Sequence, residues 1–234
     1  MEAVPCRSVL TAIPDELGTM SWTVHHVVAD AAAVHADDLV GPRAVYAIES
    51  PGESIVLGSR QSTDLLDLDA CADRGVAVAT RRSGGGIVHL PEDAYVWIDI
   101  VIDRDDPLWT DDVRASMQWL GAAWRNALIE LGIDGCRVHD GALSGGPLAS
   151  LVCFAGVGPG EVVNAHGAKI VGIAQRRSRD RARFQCMVLR RWVPGEFVDL
   201  LADKRADVAE LARRVQVVDR DAATIRAAVI HSLP

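Results

Sequence analysis

Lysine is nearly missing from this chain of 234 residues: Lys169 and Lys204 are the only two, and every other basic side chain is arginine. Arginine cannot replace a compact ammonium at a tight contact, so a lysine kept against that bias is a candidate for chemistry. Basic charge is short overall. A formal net charge of −8 gives no basic field for neutralising phosphate backbones and excludes a general nucleic-acid binder. Cysteine is sparse. Cys6, Cys71, Cys136, Cys153 and Cys186 form no C-x-x-C pair and no metal-ligand spacing, and an odd, scattered set suits reduced thiols better than a disulfide framework. His25, His26, His35, His139 and His166 also lack metal-binding spacing. No apolar run approaches a membrane span, and the opening residues carry Glu2, Asp15 and Glu16 with no basic segment before an apolar stretch, unlike a signal peptide. These absences lead to the expectation of a cytoplasmic protein with no resident metal and neither membrane nor nucleic acid as partner.

What is present is an ordinary globular composition, 49% hydrophobic and 24% charged. Alanine and valine over residues 21–38 predict a helix closed by Gly41-Pro42. Residues 44–49 and 54–57 are short β-branched runs on either side of Pro51-Gly52, as in two strands around a turn. Residues 64–74 predict a helix stopped by Gly75, and 76–80 a strand leading into Ser83-Gly84-Gly85-Gly86. Residues 95–102 form an apolar run broken by Asp99, the pattern of a buried strand. The clearest helix covers 111–131, where Val113, Met117, Leu120, Trp124, Leu128 and Leu131 recur at three- and four-residue steps and Gly132 supplies the stop. A glycine-rich loop region from Gly141 to Gly160 holds Cys153-Phe154. Strands over 169–176 and 184–189 follow, joined by an arginine-rich link at 177–183, and terminal helices are expected over 196–213 and 222–231. Helices and strands mix without strict βαβ alternation, which predicts one α+β, or mixed α/β, domain over residues 1–234.

The triple glycine is the strongest local signal, because glycines after a strand let the backbone approach a ligand and turn its N–H groups toward negative charge. No Gly-Lys-Ser/Thr follows it, so it is not a P-loop, and His89 stands where a dinucleotide fingerprint would place its last glycine. The segment SIVLGSRQSTDLLDLDACADRGVAVATRRSGGGIVH resembles the lipoate-protein ligase A branch of the biotin/lipoate ligase superfamily. That family has a Leu-Gly-x-x-Gln segment, a helix, then an arginine pair close to Ser-Gly-Gly-Gly with a histidine a few residues on. Further along, GAKIVGIAQRR is similar to the family's strand in which a lysine precedes a glycine and a small residue, and the likeness spans roughly residues 22–190.

The resemblance implies a catalytic domain with a mostly antiparallel or mixed central sheet flanked by helices. It implies Arg60 and Gln61 on the acyl-pocket wall, and Arg81, Ser83, Gly84, Gly85 and Gly86 along the floor and nucleotide side. His89 and Gly172 are implied at the substrate, with Lys169 at the activated carboxyl. A fixed ammonium in a dry site stabilises the charge that builds on a carbonyl oxygen under attack, which agrees with that role. On a regular strand starting at Lys169, Val171 and Ile173 share its face and could pack against an aliphatic chain. In the family, one residue separates the arginine pair from Ser-Gly-Gly-Gly; here Ser83 directly follows Arg82, and His89 is one place nearer the glycines, so Thr80 and Leu90 fill the family positions. A one-residue slip turns a strand side chain to the other face, which makes Arg81 the safer candidate and leaves the roles of Arg82 and His89 open.

The resemblance leaves three functions open. One is a ligase that condenses lipoate or octanoate with Mg-ATP to an acyl-adenylate and passes the acyl group to a carrier lysine. Such ligases commonly carry or borrow an accessory domain, whereas about 45 residues follow Leu189, enough for two helices. The second is an ATP-independent transferase with an acyl-carrier protein as donor. Cys153-Phe154 resembles the Cys-Phe segment of one such branch, in which the cysteine holds the acyl group as a thioester. The third is a non-catalytic acyl-binding or accessory protein on the same scaffold. The implied partner is the lipoyl carrier domain of a 2-oxoacid dehydrogenase or glycine-cleavage protein. Arg176, Arg177, Arg179, Arg181 and Arg183 read as a docking patch for an acidic carrier domain, as a clamp for ATP phosphates, or as a solvated hairpin turn.

Overall fold

The computed structural model describes residues 7–12, by backbone alone, and 21–234. Cys6 and the acidic residues Glu2, Asp15 and Glu16 lie outside the described residues. Strands β1 (Arg7–Ala12) and β2 (Thr23–Val28) pair antiparallel, and the short helix α1 (Ala31–Ala36) leads to β3 (Arg43–Glu49), which runs parallel to β2. Thr23–Val28 corrects the helix expected over 21–38. Its β-branched side chains sit in a strand hydrogen-bonded on both edges, and that pairing outweighs the helix propensity of the alanines, which is left to α1.

A three-stranded sheet follows. It contains β4 (Ser54–Leu57), then helix α2 (Leu68–Arg74), β5 (Ala77–Thr80) parallel to β4, and β6 (Val88–Leu90) antiparallel to it. Asp67 caps α2 by accepting from the Ala70 amide, and Gly75 ends it in the left-handed conformation.

The chain then returns to the main sheet with β7 (Tyr95–Asp103), followed by helix α3 (Gln118–Glu130), β8 (Arg137–Val138), α4 (Gly146–Leu151) and β9 (Val162–Val163). The long hairpin β10 (Lys169–Arg177) and β11 (Arg181–Leu189) precedes α5 (Pro194–Val198), α6 (Val208–Arg214) and α7 (Ala222–His231). The main sheet has the order β1-β2-β3-β7-β11-β10-β9-β8 among the described residues, and β2–β3 is its parallel pair. This is a mixed sheet flanked by helices.

Several boundaries differ from the sequence expectation, and α2 begins at Leu68 where a start at 64 is expected. Arg177 and Arg181 are paired strand residues, so the arginine-rich link shrinks to a turn. The helix read from 111 starts at Gln118, because Asp112 accepts the Arg114 and Ala115 amides and holds a loop and one 3-10 turn ahead of it. The helix read over 196–213 is split into α5 and α6, since the Asp67 and Ala202 amides bond across to Leu200 and Leu65 and draw the intervening chain out of helix.

Strand β7 shows how the core is divided. Val96, Ile98, Ile100 and Ile102 face one cluster with Trp124 and Leu128 of α3 and Ile225 and Val229 of α7. Tyr95, Trp97 and Val101 face a second cluster with Val56, Leu90 and Phe154. Period-two alternation with both faces covered is the signature of a fully buried strand. Loss of a side chain such as Trp124 would cost roughly 3–5 kcal/mol. The second face, between the main and small sheets, contains the site. Among the described residues no helix is long and apolar enough to cross a membrane.

Candidate functional site

The glycine turn folds around Arg81. This side chain is buried, and its guanidinium donates to the carbonyls of Gly84 at 2.9 Å and Gly86 at 2.7 Å, with a longer bond to Val56 at 3.4 Å. The turn fits because side chains are absent at three positions. A Cβ on Gly58 would lie 2.0 Å from the Gly85 carbonyl oxygen, Gly85 has φ +106°, and a Cβ on Gly86 would meet the Val152 and Cys153 backbone at 2.7 Å. Gly84 and Gly85 remain exposed. Gln61 clasps the next layer: it accepts from the Gly58 amide at 2.9 Å and donates to the Ser150 and Leu151 carbonyls at 3.0 and 3.2 Å. Arg60 is exposed. Neither Arg60 nor Gln61 lines the cavity beside the turn.

That cavity is small, about 50 Å³, and partly open to solvent. Val56, Val88 and Leu90 approach it from the small sheet, Trp97, Gly172, Ala174 and Met187 from the main sheet, and Cys153, Phe154 and Ile173 complete its apolar wall. His35, Arg81 and Gln185 are its polar side chains. Its lining, apolar with a few convergent polar side chains, suits the chain and polar head of a small apolar ligand. Since Val88 and Leu90 take the cavity side of β6, His89 faces away; its Nε2 lies 2.5 Å from Glu53 Oε1 and its ring near Phe197. The one-residue offset from the family spacing thus places His89 outside the cavity. Arg82 is likewise outside. It donates to Asp38 Oδ1 at 2.6 Å, and the same oxygen accepts from Arg176 at 2.8 Å.

Lys169 is 2% exposed, yet it is not on the cavity lining. Its ammonium donates to the Cys153 carbonyl at 2.7 Å, pairs with Glu161 at 2.8 Å, and lies 5.4 Å from the centre of the Phe154 ring. Glu161 also accepts the Ile173 amide at 3.0 Å and the Gly158 amide at 2.6 Å. Gly172 packs beside this arrangement, and a Cβ there would meet Phe154 at 3.4 Å and Glu161 at 3.7 Å, ordinary contact distances. The regular strand face expected for Lys169, Val171 and Ile173 does not form. The register with β9 shifts between Lys169 and Val171, Ile170 and Val171 both enter the core, and of the three only Ile173 reaches the cavity.

Cys153 is half-buried on the lining, and its amide donates to the Ile87 carbonyl at 2.9 Å. Cys186 also touches the cavity but is fully buried, and burial pushes its thiol far above the usual range. The arginine series disperses into internal contacts. Arg177 stacks 4.0 Å above Trp109, Arg181 pairs with Asp103, Arg183 with buried Asp99, and Arg176 with Asp38. Only Arg179 of the five is left to a solvated turn among the described residues. No group of three or more histidine, cysteine or acidic side chains is gathered to hold a metal ion among the described residues.

Sequence reasoning gave Glu161 and Gln185 no role and weighed His35 only as a metal ligand. Each is a lone polar residue in an apolar stretch, and the alternation of β11, where Gln185 interrupts the buried run, was the available hint.

The model of the lipoyl protein ligase A/B catalytic domain matches residues 32–230. The chain belongs to this family and is one of its enzymes. No curated protein matches it. Among solved structures, protein Ta0514 of T. acidophilum with bound lipoic acid is similar at 20% identity and a TM-score of 0.65, covering 86% of this chain and 75% of that one. Lipoate-protein ligase A bound with ATP is similar at 20% identity and a TM-score of 0.65, covering 87% of this chain and 76% of that one. LipL1 of P. falciparum in complex with lipoate gives 15% identity and a TM-score of 0.54, covering 82% of this chain and 47% of that one. At these identities the likeness shows a shared fold.

Proposed function

We propose that this enzyme transfers a lipoyl or octanoyl group to the lysine of a carrier domain, with the acyl chain in the cavity between the two sheets and Cys153 holding it as a thioester. The supporting observation is the placement of Cys153, a partly accessible thiol on an apolar cavity wall with its backbone fixed by Ile87 and Lys169. The Cys153 sulfur attacks the carbonyl of an acyl thioester, and the donor sulfur takes up the proton that the cysteine gives up and leaves as its thiol. The carrier amine then attacks the Cys153 thioester, forms the amide and releases the cysteine. An acyl-carrier protein is the donor class this chemistry needs. Glu161 offsets much of the Lys169 charge, so Lys169 supports transfer chiefly by positioning Cys153.

A second route, through an acyl-adenylate made from the free acid and Mg-ATP, is supported by the fold shared with the ATP-bound ligase and by the exposed Gly84-Gly85 turn, whose N–H groups suit a phosphate. The carrier is proposed to be a lipoyl domain of the 2-oxoacid dehydrogenase or glycine-cleavage type. A similar structure, at a TM-score of 0.65, is described as a bipartite lipoate protein ligase of Thermoplasma acidophilum with its E2 lipoyl domain.

The test is to offer a carrier domain either octanoyl-acyl-carrier protein or lipoate with Mg-ATP and then weigh it. Modification by the thioester donor, lost in Cys153→Ala, is expected. Modification from the acid and ATP that survives Cys153→Ala replaces the thioester route with the adenylate. No modification from either donor defeats both.

A further inference from the structure

His35 is 7% exposed, lies 4.8 Å from the Trp97 ring, and forms part of the cavity wall. Its Nδ1 is 3.0 Å from Gln185 Nε2. The Gln185 amide is oriented from both ends. Its Oε1 accepts the Ser83 hydroxyl at 2.7 Å, and its nitrogen faces the Asp99 carboxylate across the β7–β11 pair. Asp99 takes further bonds from Trp97 Nε1 and Arg183 Nε, both at 2.6 Å, so its oxygens act as acceptors. An amide nitrogen only donates, so a Gln185 N–H serves His35 Nδ1. An imidazole whose Nδ1 accepts carries its proton on Nε2. Nε2 has no hydrogen-bond partner among the described residues. Burial, with Arg183 and Arg81 nearby, pushes the His35 pKa down to about 3, so the ring is a neutral donor.

A donor in an apolar wall needs an acceptor from whatever fills the space. An acyl chain offers its carbonyl oxygen, and the sulfurs of a lipoyl ring accept only weakly. Ser83 ties the Gln185–His35 pair to the glycine turn, and Arg81 of that turn lines the cavity with Cys153.

We propose that His35 Nε2–H binds the carbonyl oxygen of the acyl group and stabilises the negative charge which that oxygen gains during transfer, an inference that rests on the acyl-transfer function above. A neutral N–H keeps its proton as the oxygen charges, so the contact is strongest in the transition state.

The test measures octanoyl transfer to a carrier domain by wild type, His35→Phe and His35→Asn, using octanoyl-acyl-carrier protein and, separately, octanoate with Mg-ATP. With whichever donor wild type uses, His35→Phe is expected to lower kcat by about 10²–10³-fold with KM little changed. His35→Asn, which keeps an N–H, recovers part of the loss. Full kcat in His35→Phe overturns the proposal. Inactivity of wild type with both donors defeats the transfer function instead. In that case, or if His35→Phe does not fold, nitrogen-15 spectra of the wild-type imidazole at neutral pH decide. The Nε2–H tautomer, with its proton shifted on adding octanoate, supports the proposal; an Nδ1–H tautomer, a charged ring or no response to octanoate overturns it.

Discussion

Lys169 and Glu161 meet at 2.8 Å with both side chains almost wholly buried, and this pair underlies the loop that carries Cys153. Removing one partner leaves a charge stranded in an apolar site. Lys169→Met and Glu161→Leu should each lower stability by about 3–5 kcal/mol in urea unfolding. The double variant should recover part of the combined loss, although the Ile173 and Gly158 amides would still lack their acceptor. Strict additivity of the two losses would show that the pair is uncoupled.

Cysteine reactivity should follow exposure. Iodoacetamide is expected to label Cys153, and an octanoyl thioester to protect it, as read by peptide mass. Cys71 and Cys186 should resist labelling in the folded protein, since both are buried and burial raises both thiols. Rapid labelling of Cys186 ahead of Cys153 would contradict the packing described here.

Two glycines of the same turn should respond differently. Gly86→Ala forces a methyl against the Val152 and Cys153 backbone at 2.7 Å and should cost about 1–3 kcal/mol, with a marked loss of transfer activity. Gly84→Ala meets nothing within 4 Å and needs no left-handed backbone, so stability should hold within about 0.5 kcal/mol. Thermal melts of the two variants check both.

Acid should weaken the fold through His35. Its pKa falls to about 3 in the folded protein, against roughly 6.5 when unfolded. The unfolded chain therefore binds the proton first. The stabilisation is complete above about pH 6.5 and is lost as pH falls toward 3, at up to roughly 1.4 kcal/mol per unit. His89 is also lowered by burial and acts in the same direction. His35→Asn should flatten the slope of stability between pH 6 and 4; an unchanged slope would assign the acid sensitivity elsewhere.

Much of the fold was readable where local chemistry marks both ends of an element. Ser54–Leu57 and Ala222–His231 lie where the pattern placed them, one beyond the Gly52 turn and the other behind the Asp221 cap. Thr23–Val28 was misread because its partners, β1 and β3, supply the pairing that decides its state. At the site, Arg81, Gly172 and Cys153 line the cavity, and Ser83 of the glycine turn bonds to Gln185 beside it. Gln61 has the motif spacing and His89 stands one place off it, and both make contacts away from the cavity. His35 was weighed only as a metal ligand because its meaning comes from Gln185, 150 residues away, and periodicity does not reveal a partner at that separation.

The Lys169 ammonium grips the peptide oxygen of Cys153 and leaves its sulfur alone. Frame and reagent are therefore separable in this protein. On the proposed thioester route the thiol gains and sheds a covalent passenger while the socket beneath keeps its shape.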